Sequence, residues 1–223
     1  MLQSSTIKFL KDLKKNNTKE WFDKNRKQYE SAKKDFTDFV QAVIDAFGKK
    51  DKTIANIVAK DCLFRINRDI RFSKNKDPYK SNMGASINKG GRMTMNTAGY
   101  YFHLEPGQCF AGGGLWQPDA DALKKIRQEI DYSFDDFKKI ISNKKFASLY
   151  KDLDHSKEMK LSRPPKGYEP ENKAIEYIKL KSFITMIPIV DGELTDKHLV
   201  KKVVSAFEAL QPLIEFLNHA TED

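Results

Sequence analysis

Cysteine is scarce in this chain, with two residues, Cys62 and Cys109, among 223. Two cysteines this far apart form neither a disulfide framework nor the paired spacing of a zinc site. The four histidines also lack a neighbouring His or Cys at the spacing of metal ligands. The sequence therefore predicts no metal site, and no cofactor is evident from it.

Long apolar segments are missing as well. No run reaches the roughly 18 apolar residues that a membrane-spanning helix needs. The first residues, Met1 to Thr6, lack the apolar core of a secretory signal. We expect a protein that has no membrane partner and works in a reducing compartment, most simply the cytoplasm. No pattern indicates an oligomeric state.

The common catalytic motifs are absent too. The chain has no Gly-x-Ser-x-Gly elbow, no Walker sequence and no dinucleotide-binding glycine fingerprint. Whether the protein is an enzyme is therefore left open by its motifs.

Positive charge is abundant and concentrated. Forty Lys and Arg residues face 31 Asp and Glu, which gives a formal charge of +9. Between positions 60 and 92, nine basic residues stand against three acidic ones, a net charge of +6. Such a concentration is typical of proteins that bind nucleic acid, phosphorylated metabolites or acidic surfaces.

The centre of this region is the segment 64–80. Phe64, Ile66, Ile70 and Phe72 alternate with polar residues, which is the pattern of a half-buried antiparallel strand. Residues 73–77 favour a turn, because Asn and Asp disfavour strands. The sequence thus predicts a strand that runs into a basic loop.

Basic and aromatic side chains gathered there can bind an anion. Arginine holds phosphate or carboxylate in bidentate fashion, lysine adds a point charge, and an aromatic ring can stack. The candidate ligand-binding residues are Arg65, Arg68, Arg71, Lys74, Lys76, Tyr79, Lys80 and Trp116. The alternative interpretation is a set of structural ion pairs and solvated lysines.

Candidates for proton transfer are fewer. His103 and Glu105 share one face of a predicted strand, with Tyr101 beside them, and Asp69 lies among the arginines. A polar outer face of a sheet explains the same spacing. A cysteine paired with His103 is a further alternative, although free cysteines are usually buried packing residues.

The overall pattern predicts an α+β fold with a central, mostly antiparallel sheet and helices from both ends packed on it. We expect a single domain, 1–223. It comprises a helical part at 1–50, a strand-rich core with the basic loop at 60–116, and helices with one further strand at 118–223.

Several motifs together resemble a known family. They are the segment 64–74 with Asp77-Pro78-Tyr79-Lys80, Asn16-Asn17 with Trp21-Phe22, the glycines before Trp116, and Pro165-Lys166-Gly167-Tyr168. They resemble domain of unknown function 2461, a family of bacterial and fungal proteins. The resemblance covers nearly the whole chain and implies one domain of this length, but it implies no activity and no catalytic residue.

Three functions remain compatible with the residues. The first is a module that binds a phosphate-bearing or otherwise anionic ligand, including nucleic acid, through the Arg and Lys cluster. The second is an enzyme that holds an anionic small molecule with arginines and transfers protons through Asp69, His103 or Glu105. The third is a protein-interaction domain with a basic face.

Overall fold

The computed structural model describes residues 1–71 and 74–222. Its α-helices, α1 to α9, are Ser4–Lys15, Lys19–Lys24, Arg26–Phe47, Ala59–Cys62, Ala120–Tyr132, Phe134–Ile141, Lys144–Tyr150, Ile175–Ile178 and Leu199–Thr221. Its strands, β1 to β4, are Met83–Ile87, Gly99–Leu104, Phe110–Leu115 and Phe183–Pro188. They form one antiparallel sheet in the order β1-β2-β3-β4. The α+β fold is thus confirmed, with helices at both ends of the chain.

Apolar residues at steps of three and four determine the helices. In α3, Phe36, Phe39, Val40 and Val43 lie on one buried face. The Thr18 side chain accepts a hydrogen bond from the Trp21 N–H and so caps α2. The same periodicity predicts a break between α5 and α6, which the structure places at Ser133.

The described residues divide into two compact units. The first comprises 1–92, 101–111 and 188–205, and the second comprises 93–100, 112–187 and 206–222. In the first, Phe36 and Phe39 of α3 pack their rings on Phe102 of β2. In the second, Tyr100 packs on Phe207 of α9. The prediction of a single domain over 1–223 is not tested by this division and stays a prediction.

Three consecutive glycines in β3 leave no room for side chains between it and the neighbouring backbone. A Cβ on Gly112 would overlap the Thr185 carbonyl oxygen, and one on Gly114, whose φ is +123°, would overlap that of Phe183. A Cβ on Gly113 would overlap the Gly99 carbonyl oxygen. These glycines therefore let β3 pack closely against the neighbouring strands.

The predicted strand over 64–72 is wrong for the residues that are described. Within the segment, Asn67 makes an isolated antiparallel bridge with Tyr79, as Leu63 just before it does with Ala85. None of its described residues belongs to a strand. Of its apolar row, Ile66 is buried while Phe64 and Ile70 are exposed. Phe72 and Ser73 lie outside the described residues. Alternating apolar and polar residues do not by themselves make a strand here, because the described backbone forms isolated bridges and no continuous ladder of hydrogen bonds.

None of the helices in the described part of the chain has the length and apolar character that crossing a membrane requires.

Candidate functional site

The segment predicted to bind a ligand forms an irregular hairpin, here called the basic hairpin loop (residues 64–71 and 74–80). The Arg68 N–H donates to the Pro78 carbonyl at 2.9 Å, and the Lys80 N–H donates to the Ile66 carbonyl at 2.8 Å. These bonds join the two arms of the loop near its base. They place residues 69–71 and 74–77 towards its tip.

An asparagine from outside the loop fixes its second arm. The Asn17 side chain donates to the Tyr79 carbonyl at 3.0 Å and accepts from the Tyr79 N–H at 3.1 Å. The Tyr79 ring lies buried against Phe22, with centroids 3.9 Å apart and planes 13° apart. Tyr79 was a candidate for stacking on a ligand, but in this structure its ring packs on Phe22.

The predicted arginines have three different environments. Arg71 forms a two-nitrogen contact with the Asp69 carboxylate, at 3.0 and 2.7 Å. Hydrogen bonds from Arg71 hold the pKa of Asp69 below its ordinary value. Asp69, a candidate for proton transfer, is therefore the ion-pair partner of Arg71 at the loop tip.

Arg65, Arg68 and Lys80 form a second group, here called the cation cluster. Burial lowers the pKa of the Lys80 ammonium, and the positive charges of Arg65 and Arg68 lower it further. Arg68 is half-buried, and its Nη2 donates to the Tyr79 carbonyl at 3.4 Å. Arg65 and Lys80 have no carboxylate partner within residues 1–71 and 74–222. Among the described residues, the cluster is thus free of close ion pairs at Arg65 and Lys80, although the charge of Arg65 also contributes to the lowered pKa of Asp69.

The two loop lysines and the tryptophan have other surroundings. Lys74 and Lys76 are exposed, and the Lys76 ammonium donates to the Ile70 carbonyl at 2.9 Å. Trp116, with 54% of its surface exposed, belongs to the second unit, whereas the basic hairpin loop belongs to the first.

A chain of polar side chains follows β2 on its less buried face. The Tyr101 hydroxyl lies 3.4 Å from His103 Nδ1, and His103 Nε2 lies 3.3 Å from Glu105 Oε2. We call these three residues the Tyr–His–Glu chain. The side chains of His103 and Glu105 are 15% and 14% exposed. Strand geometry brings them together because residues two apart point to the same face.

Lys14 completes the chain at its acidic end. Its ammonium lies 3.2 Å from Glu105 Oε1, and the Ser81 hydroxyl donates to the same oxygen at 3.5 Å. Burial alone raises the pKa of Glu105, but hydrogen bonds from His103 and Lys14 outweigh it and bring that pKa below its ordinary value. Glu105 is therefore a carboxylate at neutral pH.

Aromatic contacts connect the chain with the cation cluster. Lys80 Nζ lies 5.6 Å from the centre of the Phe64 ring, which meets the Tyr101 ring edge-on at 6.2 Å. On the other side, Phe110 stacks on His103 with centroids 4.8 Å apart. The Phe64 ring thus contacts both Lys80 of the cation cluster and Tyr101 of the Tyr–His–Glu chain.

Both cysteines are buried in the first unit. The Cys109 thiol donates to the Glu105 carbonyl at 3.0 Å, and that of Cys62 donates to Val58 at 3.8 Å. Burial raises the pKa of each thiol to about 11. The alternative of a cysteine acting with His103 has no support in this arrangement.

Metal ligands do not gather in the part of the chain that the structure describes, where no group of three or more His, Cys, Asp or Glu side chains is placed to hold an ion. His103 and Glu105 would supply two metal ligands, one fewer than the three of such a group.

Sequence reasoning missed Lys14, Ser81 and Gly84 as neighbours of the Tyr–His–Glu chain. Lys14 is 91 positions from Glu105, and no local pattern connects the two. Gly84 faces the Tyr101 hydroxyl so closely that a Cβ there would overlap it.

The comparison with protein families gives one result. The family model of the conserved hypothetical proteins DUF2461 matches residues 5–216 of the 223, and the chain belongs to this family. No curated protein and no solved structure matches the sequence. The family description names no activity, so a function has to be argued from the site.

Proposed function

We propose that this protein binds a phosphate-bearing or otherwise anionic ligand at the cation cluster. The observation that carries the proposal is the pairing of the two arms of the basic hairpin loop, which brings Arg68 and Lys80 onto facing stretches of backbone. In agreement with this geometry, burial and the charges of Arg65 and Arg68 lower the pKa of Lys80. Like charges this close repel one another, and a bound anion would relieve that repulsion. The same site would bind a nucleic-acid strand through its phosphates or a small phosphorylated molecule through one group.

The basic hairpin loop supports the proposal by its construction. Asn17 and the two backbone bonds between the arms hold the backbone at Arg68, Tyr79 and Lys80 before any ligand arrives. A backbone that is already ordered loses less conformational entropy on binding. Arg71 is left out of the proposed site because Asp69 already neutralises it.

Titration with two probes tests the proposal and separates the two sources of phosphate. Pyrophosphate would be followed by calorimetry, and a labelled single-stranded oligonucleotide by fluorescence anisotropy over a range of salt. We expect the double variant Arg65→Ala with Lys80→Ala to weaken binding about a hundredfold or more, because each of the two charge-assisted contacts is worth roughly 1.5–3 kcal/mol.

The matched control is Lys144→Ala with Lys145→Ala, which removes the same charge from exposed positions of α7. Binding should survive in this control. Equal weakening in both double variants would indicate a general charge effect, and failure of both probes to bind would rule out the anion site. An oligonucleotide response that is steep in salt, with no pyrophosphate binding, would favour nucleic acid.

A further inference from the structure

The Tyr–His–Glu chain has a defined direction of hydrogen bonding. Glu105 is a carboxylate, which can only accept, so His103 Nε2 carries a proton and donates to it. When the imidazole is neutral, its Nδ1 then has a free lone pair. The hydrogen bond between Tyr101 and Nδ1 must in that state be donated by the Tyr101 hydroxyl.

The same chain places a base next to a hydroxyl that needs one. Burial raises the pKa of Tyr101, so its hydroxyl stays protonated at neutral pH. His103 Nδ1 is positioned to take that proton, and Glu105 stabilises the imidazolium that results. A nucleophile, a base within hydrogen-bond reach and a third group that orients the base are the three parts of nucleophilic catalysis.

The surroundings hold this geometry. Phe110 lies parallel to the His103 ring at 11°, Lys14 holds Glu105, and the missing side chain of Gly84 leaves room for the Tyr101 hydroxyl. The distances of 3.4 and 3.3 Å are long for such bonds, and catalytic hydrogen bonds commonly shorten when a substrate binds.

We infer that Tyr101 is a nucleophile for phosphoryl transfer, with His103 as its base and Glu105 as the positioning residue. This inference rests on the proposed function, because the cation cluster, whose Lys80 contacts the same Phe64 ring as Tyr101, would hold the phosphate of the substrate. The substrate class is a phosphoester small enough to reach the face of β2.

The reaction balances without a cofactor. Tyr101 Oη attacks phosphorus and forms an O–P bond, the bond to the ester oxygen breaks, and the phenolic proton passes to His103 Nδ1. The imidazolium then returns this proton to the leaving oxygen. Water attacks the phosphotyrosine in the second half, gives one proton to Nδ1, and that proton returns to Tyr101 as phosphate leaves.

An uncharged aryl sulfonyl fluoride tests the nucleophile directly. Tyr101 Oη would bond to sulfur, fluoride would leave, and His103 would take the proton. Peptide mapping by mass spectrometry compares Tyr101 with Tyr132, which is 92% exposed and serves as an internal standard. We expect Tyr101 to react at least about tenfold faster than Tyr132, since base catalysis typically contributes 10²–10⁴-fold.

Two variants test whether His103 and the space at Gly84 determine the reactivity of Tyr101. His103→Gln should reduce the Tyr101 rate below that of Tyr132, and Gly84→Ala should reduce it by displacing the hydroxyl. The matched control is Gly192→Ala, where an added Cβ meets nothing within 4 Å. Faster labelling of Tyr132 in the wild type, or an unchanged Tyr101 rate in His103→Gln, would overturn the inference.

A second readout addresses the phosphoryl step. The wild type should release p-nitrophenolate from p-nitrophenyl phosphate, and Tyr101→Phe should not. No release by the wild type, or equal release by the variant, would refute phosphoryl transfer. Because the sulfonyl fluoride carries no charge, failure of the anion titration leaves the labelling result independent, and the two proposals can fail separately.

Discussion

Glu105 shows at the scale of one residue how a half-buried carboxylate is kept charged. It accepts hydrogen bonds from His103 and Lys14, and these outweigh the cost of removing it from water. Its pKa in the folded protein is therefore lower than the ordinary 4.5 that it regains on unfolding. A lowered folded pKa stabilises the protein above the unfolded value, and this stabilisation disappears as pH falls through the folded value.

The substitution Glu105→Gln should reveal this dependence. We expect the variant to lose about 1–2 kcal/mol of unfolding free energy at neutral pH, because Lys14 and His103 lose a charged partner. The difference from the wild type should shrink as the pH falls below about 4.5. Urea unfolding over this pH range measures it, with the exposed Glu169→Gln as control. A difference that stays constant with pH would show that the carboxylate charge is not responsible.

Single residues of the site were only partly predictable. Arg65, Arg68 and Arg71 repeat every three positions and look equivalent in the sequence. The structure gives them three roles, since Arg71 is paired with Asp69, Arg68 is half-buried against a backbone carbonyl, and Arg65 is exposed. Local spacing does not contain the contacts that decide between these outcomes.

Among elements, β2 positions its polar side chains by strand periodicity alone. That periodicity correctly predicted a shared face for His103 and Glu105, with Tyr101 beside them. The first arm of the basic hairpin loop was predicted as a strand because its apolar residues alternate, and its second arm was predicted as a loop. Its shape depends on Asn17 and Phe22, which are distant in sequence, so the alternation alone was misleading.

Removing the Asn17 amide should loosen the basic hairpin loop. In Asn17→Ala, the Tyr79 N–H and carbonyl lose their partner, and we expect a cost of about 1–3 kcal/mol. Hydrogen exchange should rise in the peptide containing Tyr79 and Lys80. The control is Gln28→Ala, which alters an amide on the exposed side of α3. Unchanged exchange at Tyr79 would mean that Phe22 packing holds the arm without Asn17.

For the whole molecule, the helices were the most predictable part, since their apolar periodicity reflects burial along each element. The chain's positive charge was equally visible in composition. The number of cooperative units depends on contacts among distant segments. The single domain that the sequence predicts therefore stays a prediction, which the division into two compact units does not test.

Calorimetry tests the prediction of a single domain. If 1–223 behaves as one domain, heating should give a single transition whose calorimetric and van't Hoff enthalpies have a ratio of about 1. Two resolved transitions, or a ratio well above that value, would contradict the single domain. A scan at two heating rates checks that the transition is at equilibrium.

The two buried thiols can report on local opening of the structure around them. Cys62 lies at the end of α4 and Cys109 just before β3, and with a pKa of about 11 each is protonated under ordinary conditions. An alkylating reagent can reach either sulfur only during the moments when its surroundings separate. The alkylation rate of each cysteine therefore measures how often the structure around it opens locally, and no probe has to be attached to the protein.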